Sequence, residues 1–575
     1  MPIESRVSLS LSLSLSLSLS LSLSLSLSLS LSLFKSYFVT IACILGTGIL
    51  GLPVTLYNSG FYPFLVVFII AFSMQALVIF IGVEILQKAY AIQVECDKEN
   101  QEAPQDIENP PQNSSDATSE AQNDRQFERK SLHSEEMMDE DTWNELEDLP
   151  ENEGPVLACQ VLPAEQKVIR SPDLHLLGEM FLCYGIRHVF DILSIFKMMT
   201  MLIGYSLAGS GAYNEMLGIK YINVIPVFIW SLAFFIIFAF KLIQPVVSIL
   251  AFIKASLFTM AVIVTFFVIS EVEENVKNNF NYIQDSFLIS TVALGGCFLV
   301  MPFLFKKIEN DASQIQKYRF AVVMGLVTCT ILKILWCWAV LEIVPQHCTP
   351  MVGTNQSSQC NSLESAKENG EISTEPLTRI IRHKLPSFLW VAIVVEVFIM
   401  ISITVSFMTM GTALHHMICG IVESACFLSK YTEQSPKIVN IGKKCVSSFL
   451  SLILFGIIFL IDMLNPKAFL HVMEKFISFV ANIVNLLVFM MFLATRNKEN
   501  NKVKIPLPLP NMVMPFIFLI PLYFGFAIGY DIYFSVMSSL HHETDKSHLP
   551  ALQQHLYHNS SLLNVTSPVH VNIAS

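Results

Sequence analysis

Apolar residues run along this chain in long, nearly unbroken windows. They show neither the stripe of a soluble amphipathic helix nor the alternation of a half-buried strand. A helix needs about 20 apolar residues to cross about 30 Å of hydrocarbon. Eleven windows are that long or close to it: 37–57, 62–88, 190–215, 222–242, 246–270, 286–305, 319–345, 388–413, 446–464, 469–495 and 512–538. The pattern predicts an all-α, polytopic membrane protein with about 11 transmembrane helices. It divides the chain into a low-complexity tail (1–36), helices one and two (37–88), a polar insert (95–172), helices three to eleven (190–538) and a second tail (539–575).

Composition agrees and excludes the alternatives. Of 575 residues, 53% are hydrophobic and only 14% charged, against about a quarter charged in an ordinary soluble domain. Soluble enzymes, coiled coils and wholly disordered chains are set aside. The net charge of −12 is concentrated in one place: residues 95–170 carry 21 Asp/Glu and 6 Lys/Arg, which leaves 26 acids and 29 bases elsewhere. That insert, rich in Glu, Asp, Asn, Gln and Pro, has the composition of a disordered segment and offers a surface for a cytoplasmic partner. No basic stripe points to nucleic acid. The twelve Cys include no CxxC, so the sequence calls for no metal and no cofactor. Residues 8–33 are thirteen Ser-Leu pairs. They read as a translated TC dinucleotide repeat, being longer and more polar than the apolar core of a signal peptide.

Lys and Arg near the span ends set the orientation. With the N-terminus in the cytoplasm, the cytoplasmic loops carry Lys306, Lys307, Lys317 and Arg319, then Lys430, Lys437, Lys443 and Lys444, then Arg496, Lys498, Lys502 and Lys504. Arg379, Arg382 and Lys384, before span eight, are the exception. Glycosylation sequons at Asn355, Asn559 and Asn564 all fall outside on this topology, as expected of a glycoprotein. Cys348 and Cys360 share one outer loop, where they are either a disulfide or two thiols.

Spans one and six are interrupted alike. In Leu45-Gly46-Thr47-Gly48-Ile49-Leu50-Gly51-Leu52-Pro53 and Leu294-Gly295-Gly296-Cys297-Phe298-Leu299-Val300-Met301-Pro302, a Gly precedes a Pro by seven residues. Gly loosens a helix and admits close backbone approach, and Pro removes a ladder donor. Irregular backbone at mid-membrane is tolerated where it lines a cavity or is buried in protein. Interruptions at corresponding positions of two halves point to a transporter's binding site.

The run Gly46-Thr47-Gly48-Ile49-Leu50-Gly51-Leu52-Pro53 resembles the first-helix signature of the amino acid/auxin permease family, of the amino acid–polyamine–organocation superfamily. That family includes vacuolar, proton-coupled and sodium-coupled neutral amino acid transporters. The resemblance implies a LeuT-type 5+5 inverted repeat with broken helices 1 and 6. It implies that Gly46, Thr47 and Gly48, with Ile49, meet the substrate, and that Gly295, Gly296 and Cys297 face them. The long acidic insert departs from the family's usual short loop.

Ionisable residues inside spans are functional candidates. In sodium-coupled relatives a sodium ion bridges span one to span-eight hydroxyls, and in some sodium-independent ones a span-five lysine replaces it. Lys254 suits that role, or it snorkels to the interface. Ser402, Ser406 and Thr409 share one face of span eight and keep sodium coupling open. Lys333 and Glu396 are expected to pair, Lys197 to snorkel, and Asp462 to sit at the interface. The combined expectation is a secondary amino acid transporter in the plasma membrane or an endolysosomal or vacuolar membrane, coupled to H+ or Na+. The alternative is an amino acid-sensing transceptor that signals through the acidic insert.

Overall fold

The computed structural model describes residues 33–102, 172–272, 276–306, 308, 310–348, 361–424, 436–464, 466–497 and 503–547. All helices and loops below belong to these residues. The Ser-Leu pairs before Leu33, most of the acidic insert, Cys360 and the sequons at Asn355, Asn559 and Asn564 lie outside them.

The regular structure is helical throughout. Span one is two pieces, α1 (Leu33–Ile44) and α2 (Thr47–Thr55). Span two is α3 (Phe61–Glu102). A short helix α4 (Leu174–Phe181) precedes α5 (Tyr184–Leu217), α6 (Tyr221–Phe238) and α7 (Phe240–Ile269). Span six is again two pieces, α8 (Ile283–Leu294) and α9 (Cys297–Phe305). Then come α10 (Ala312–Ile343), the short α11 (Leu363–Asn369) and α12 (Thr374–Lys384), and α13 (Leu389–Ser424). The chain continues with α14 (Pro436–Leu464), α15 (Pro466–Thr495), α16 (Met514–Ile517) and α17 (Leu519–Ser547).

Nine of the described helical segments are long and apolar enough to cross a membrane, and α1 and the greater part of α6 are shorter apolar helices. The first span fails the length test because it is broken. Span six is broken as well but passes as one segment, Phe280–Phe305, so the eleven expected spans are eight continuous spans, one short span and two split ones. The outward faces confirm what solvent these helices suit. Phe234, Phe238, Phe449, Leu522 and Phe526 are more than half exposed, which water would penalise and hydrocarbon does not.

Several boundaries differ from expectation. α1 starts at Leu33, inside the supposed tail 1–36, with Ser36 buried. α3 runs past 88 to Glu102, so the insert starts later than 95. At the insert's other end Asp173 caps α4 by accepting from the Leu176 N–H, and α5 starts at Tyr184, not 190. α17 extends through Ser547, beyond 539. Hydropathy windows find the apolar middle of a helix and miss polar ends that carry its hydrogen-bond ladder onward.

α5 and α13 form the most extensive helix contact, and α13 also packs on α7, while α3 packs on α8 and α10. The two split spans lie inside this frame, with α2 against α8.

Candidate substrate site at the paired helix breaks

The break in span one is two residues long. α1 ends at Ile44, the Leu45 N–H still donates to the Ile41 carbonyl (2.8 Å), and Gly46 takes φ −73°, ψ −102° before α2 starts. In span six, Gly295 is extended (φ −74°, ψ 175°) and Gly296 is left-handed (φ 96°, ψ −17°). A side chain at Gly296 would be strained in that conformation. Pro53 and Pro302 lie inside α2 and α9 rather than in the breaks. Each removes the donor for the carbonyl four residues earlier. The unwound backbone is thus confined to the glycine side of the Gly-to-Pro interval.

The two breaks touch. The Cys43 thiol, at the end of α1, donates to the Gly296 carbonyl at 3.6 Å. Thr47, Gly48 and Ile49 form the first turn of α2, and their side-chain positions lie outside the described residues. Cys297 is buried at the start of α9. In α9 the Leu299 N–H donates to the Gly296 carbonyl at 3.1 Å; the other first-turn N–H groups have no intrahelical partner, and both α2 and α9 set a positive helix end at the breaks.

The opposite helix ends are occupied by lysines. The Lys254 ammonium, from α7, donates to the Ala42 carbonyl (3.0 Å) and the Ser406 hydroxyl (2.5 Å), and Ser406 itself reaches Ala42 at 3.3 Å. The Lys333 ammonium, from α10, donates to the carbonyls of Ile44 (2.8 Å) and Ala293 (2.5 Å). Both lysines are fully buried. A helix C-terminus carries partial negative charge and orphan carbonyls, which a buried ammonium satisfies with charge-assisted hydrogen bonds. Lys254 is directed at α1 and does not snorkel.

Other expected roles change. Lys333 does not pair with Glu396. Glu396 instead takes Arg382, which donates to both carboxylate oxygens at 2.6 and 2.7 Å. Arg379 pairs with Glu371 and Glu375. Lys197 is 1% exposed and does not snorkel. Asp462 is buried rather than interfacial and accepts from the Ser206 hydroxyl. Ser402 is buried on α13, and Thr409 turns its hydroxyl back to the Val405 carbonyl of its own helix. Cys348 is a half-cystine.

Of three residues of α5 at the breaks, Lys197 was expected to snorkel, and Met201 and Tyr205 escaped the sequence reading. Lys197, Met201 and Tyr205 recur every four residues, which places them along one helix face, and all are buried. A Cβ on Gly46 would collide with the Tyr205 hydroxyl and lie 2.6 Å from its Cζ. A Cβ on Gly296 would lie 3.5 Å from the Met201 Cε. The glycines let α5 close over both breaks.

No family model and no curated protein sequence matches this chain. Among solved structures, it is similar to a manganese transporter of Eremococcus coleocola in complex with an aromatic bis-isothiourea substituted compound. That match has 8% identity, covers 92% of this chain and 90% of that one, and has a TM-score of 0.49. Two mutants of the same transporter match over the same shares at 9% identity, with TM-scores of 0.45 and 0.46.

Proposed function

We propose that this protein is a secondary active transporter of amino acids that binds its substrate between the broken spans one and six. The observation that carries the reading is the contact of the two breaks through Cys43 and Gly296, beside the N-terminal ends of α2 and α9. The first-helix signature supplies the substrate class. Rocking of the surrounding helices about this site would open it to each side in turn. The test is uptake into loaded vesicles by Gly296→Leu and Gly48→Leu variants, with surface expression measured alongside. Transport should fall to background. Wild-type rates at normal expression would refute the site.

The coupling ion follows from Lys254. Its ammonium joins a span-one carbonyl to a span-eight hydroxyl, which is where the resemblance puts sodium in sodium-coupled relatives. We take the lysine as the substitute for sodium and H+ as the coupling ion. On the inside-N-terminus topology, Asn355, Asn559 and Asn564 are glycosylated, Cys348 pairs with Cys360, and the acidic insert faces a cytoplasmic partner. The pairing of Arg379 and Arg382 with glutamates neutralises the one cluster that breaks the positive-inside bias.

A further inference from the structure

The charge balance at the breaks narrows the substrate. Three buried lysines surround them: Lys197 from α5, Lys254 from α7 and Lys333 from α10. All three act electrostatically on the Cys43 thiol at the end of α1. Among the described residues, none of the three forms an ion pair with a carboxylate. Two described acids on and around α5 are engaged elsewhere. Asp191 holds His175 at 2.7 Å, and Asp462 holds Ser206. Ser206 lies nine residues along α5 from Lys197, about 14 Å at 1.5 Å per residue.

The lysines are not equivalent. Lys254 and Lys333 have backbone carbonyls of the breaks as partners. Lys197 has no hydrogen-bond partner among the described residues, although it is 1% exposed. It lies one turn from Met201, whose methyl faces Gly296. A lysine this deeply buried, its ammonium without a protein partner among the described residues, calls for an anion. The N-terminal ends of α2 and α9 call for another. Meanwhile the Ala42, Ile44 and Ala293 carbonyls, natural acceptors for a substrate ammonium, already hold lysines.

We propose that the substrate carries two carboxylates, one held by the first turns of α2 and α9 and the other by Lys197. The site is then selective for acidic amino acids and related small dicarboxylates, and hostile to neutral zwitterions and divalent cations. This rests on the reading of the breaks as the substrate site.

The purified full chain, reconstituted in liposomes, tests it with L-glutamate, succinate, L-alanine and Mn2+, each assayed for uptake and for binding by thermal stabilisation. Glutamate or succinate should exceed alanine at least tenfold in both assays, and Mn2+ should do nothing. Succinate alone succeeding would show that the amino group is dispensable. Lys197→Gln should cut the acid-to-alanine ratio at least tenfold, whereas Lys197→Arg should keep it, which separates charge from packing. Preference for alanine or Mn2+, or an unchanged ratio in folded Lys197→Gln, would overturn the proposal while leaving transport intact. Dicarboxylate binding without flux would overturn transport and leave the anion site standing. Neither binding nor flux of any probe would remove both.

Discussion

Lys254 donates to the Ala42 carbonyl at 3.0 Å, so a cation from α7 closes the broken end of α1. The same ammonium holds Ser406 and thereby ties α13 to that end. Lys254→Met would leave the Ala42 carbonyl with only the longer Ser406 bond and uncouple α7 from α1 and α13. Uptake by this variant should fall at least tenfold at equal expression. Wild-type uptake should be the same in sodium and in choline media and should rise as the outside is acidified. A sodium requirement in the wild type would overturn the substitution of lysine for sodium.

The two glycine contacts with α5 differ in kind, and alanine substitution separates them. At Gly296 a Cβ has room, with its nearest neighbours the Met201 Cε at 3.5 Å and the Cys43 Sγ at 3.9 Å. The cost is backbone conformation, about 1–2 kcal/mol for a left-handed residue. At Gly46 the cost is collision with Tyr205. Unfolding in detergent should therefore show Gly46→Ala rescued in part by Tyr205→Leu, with a coupling of at least about 1 kcal/mol. Gly296→Ala should show no comparable rescue by Met201→Ala.

The position of both breaks was legible because Gly and Pro punctuate an apolar run regardless of what surrounds it. The Lys197, Met201 and Tyr205 face was not. α5 is buried on several sides, so its apolar pattern carries little phase information, and only the four-residue recurrence marks the face. Lys333 and Glu396 were matched by charge alone, since hydropathy gives depth poorly and says nothing of α12. That helix did have a signal: Leu377, Ile380 and Ile381 follow the i, i+3, i+4 rule and are buried. It brings Arg382 to Glu396. The backbone carbonyls that receive Lys254 and Lys333 leave no trace in any sequence, because every residue has one.

The segment between α15 and α16 is strapped to α3. Glu84 accepts from Arg496 (2.8 Å) and from the Leu509 N–H (3.0 Å). Gln87 exchanges hydrogen bonds with both the N–H and the carbonyl of Leu507, and Lys88 reaches the Val503 carbonyl at 2.6 Å. Glu84→Ala removes two of these contacts and leaves Arg496 without its carboxylate. Amide exchange at Leu507 and Leu509 should speed up about tenfold, which corresponds to about 1.4 kcal/mol of lost local protection. Exchange in α8 should not change. Equal acceleration in both places would mean that the whole fold, not the strap, was weakened.

Arg382 and Glu396 should respond unequally to removal. The Glu396 side chain is 8% exposed and the Arg382 side chain 43%. Truncating the arginine strands a buried carboxylate, whereas neutralising the glutamate leaves a guanidinium that water can still reach. A hydrogen bond to a charged group contributes about 1.5–3 kcal/mol, and the exposed arginine reduces that through solvent screening. Arg382→Ala should therefore cost about 1–2 kcal/mol of unfolding free energy, and Glu396→Gln under about 1 kcal/mol. The double variant Arg382→Ala/Glu396→Leu should recover part of the loss, because no buried charge remains. Equal costs for the two single variants would show that Glu396 is solvated and that the pair does not hold α12 to α13.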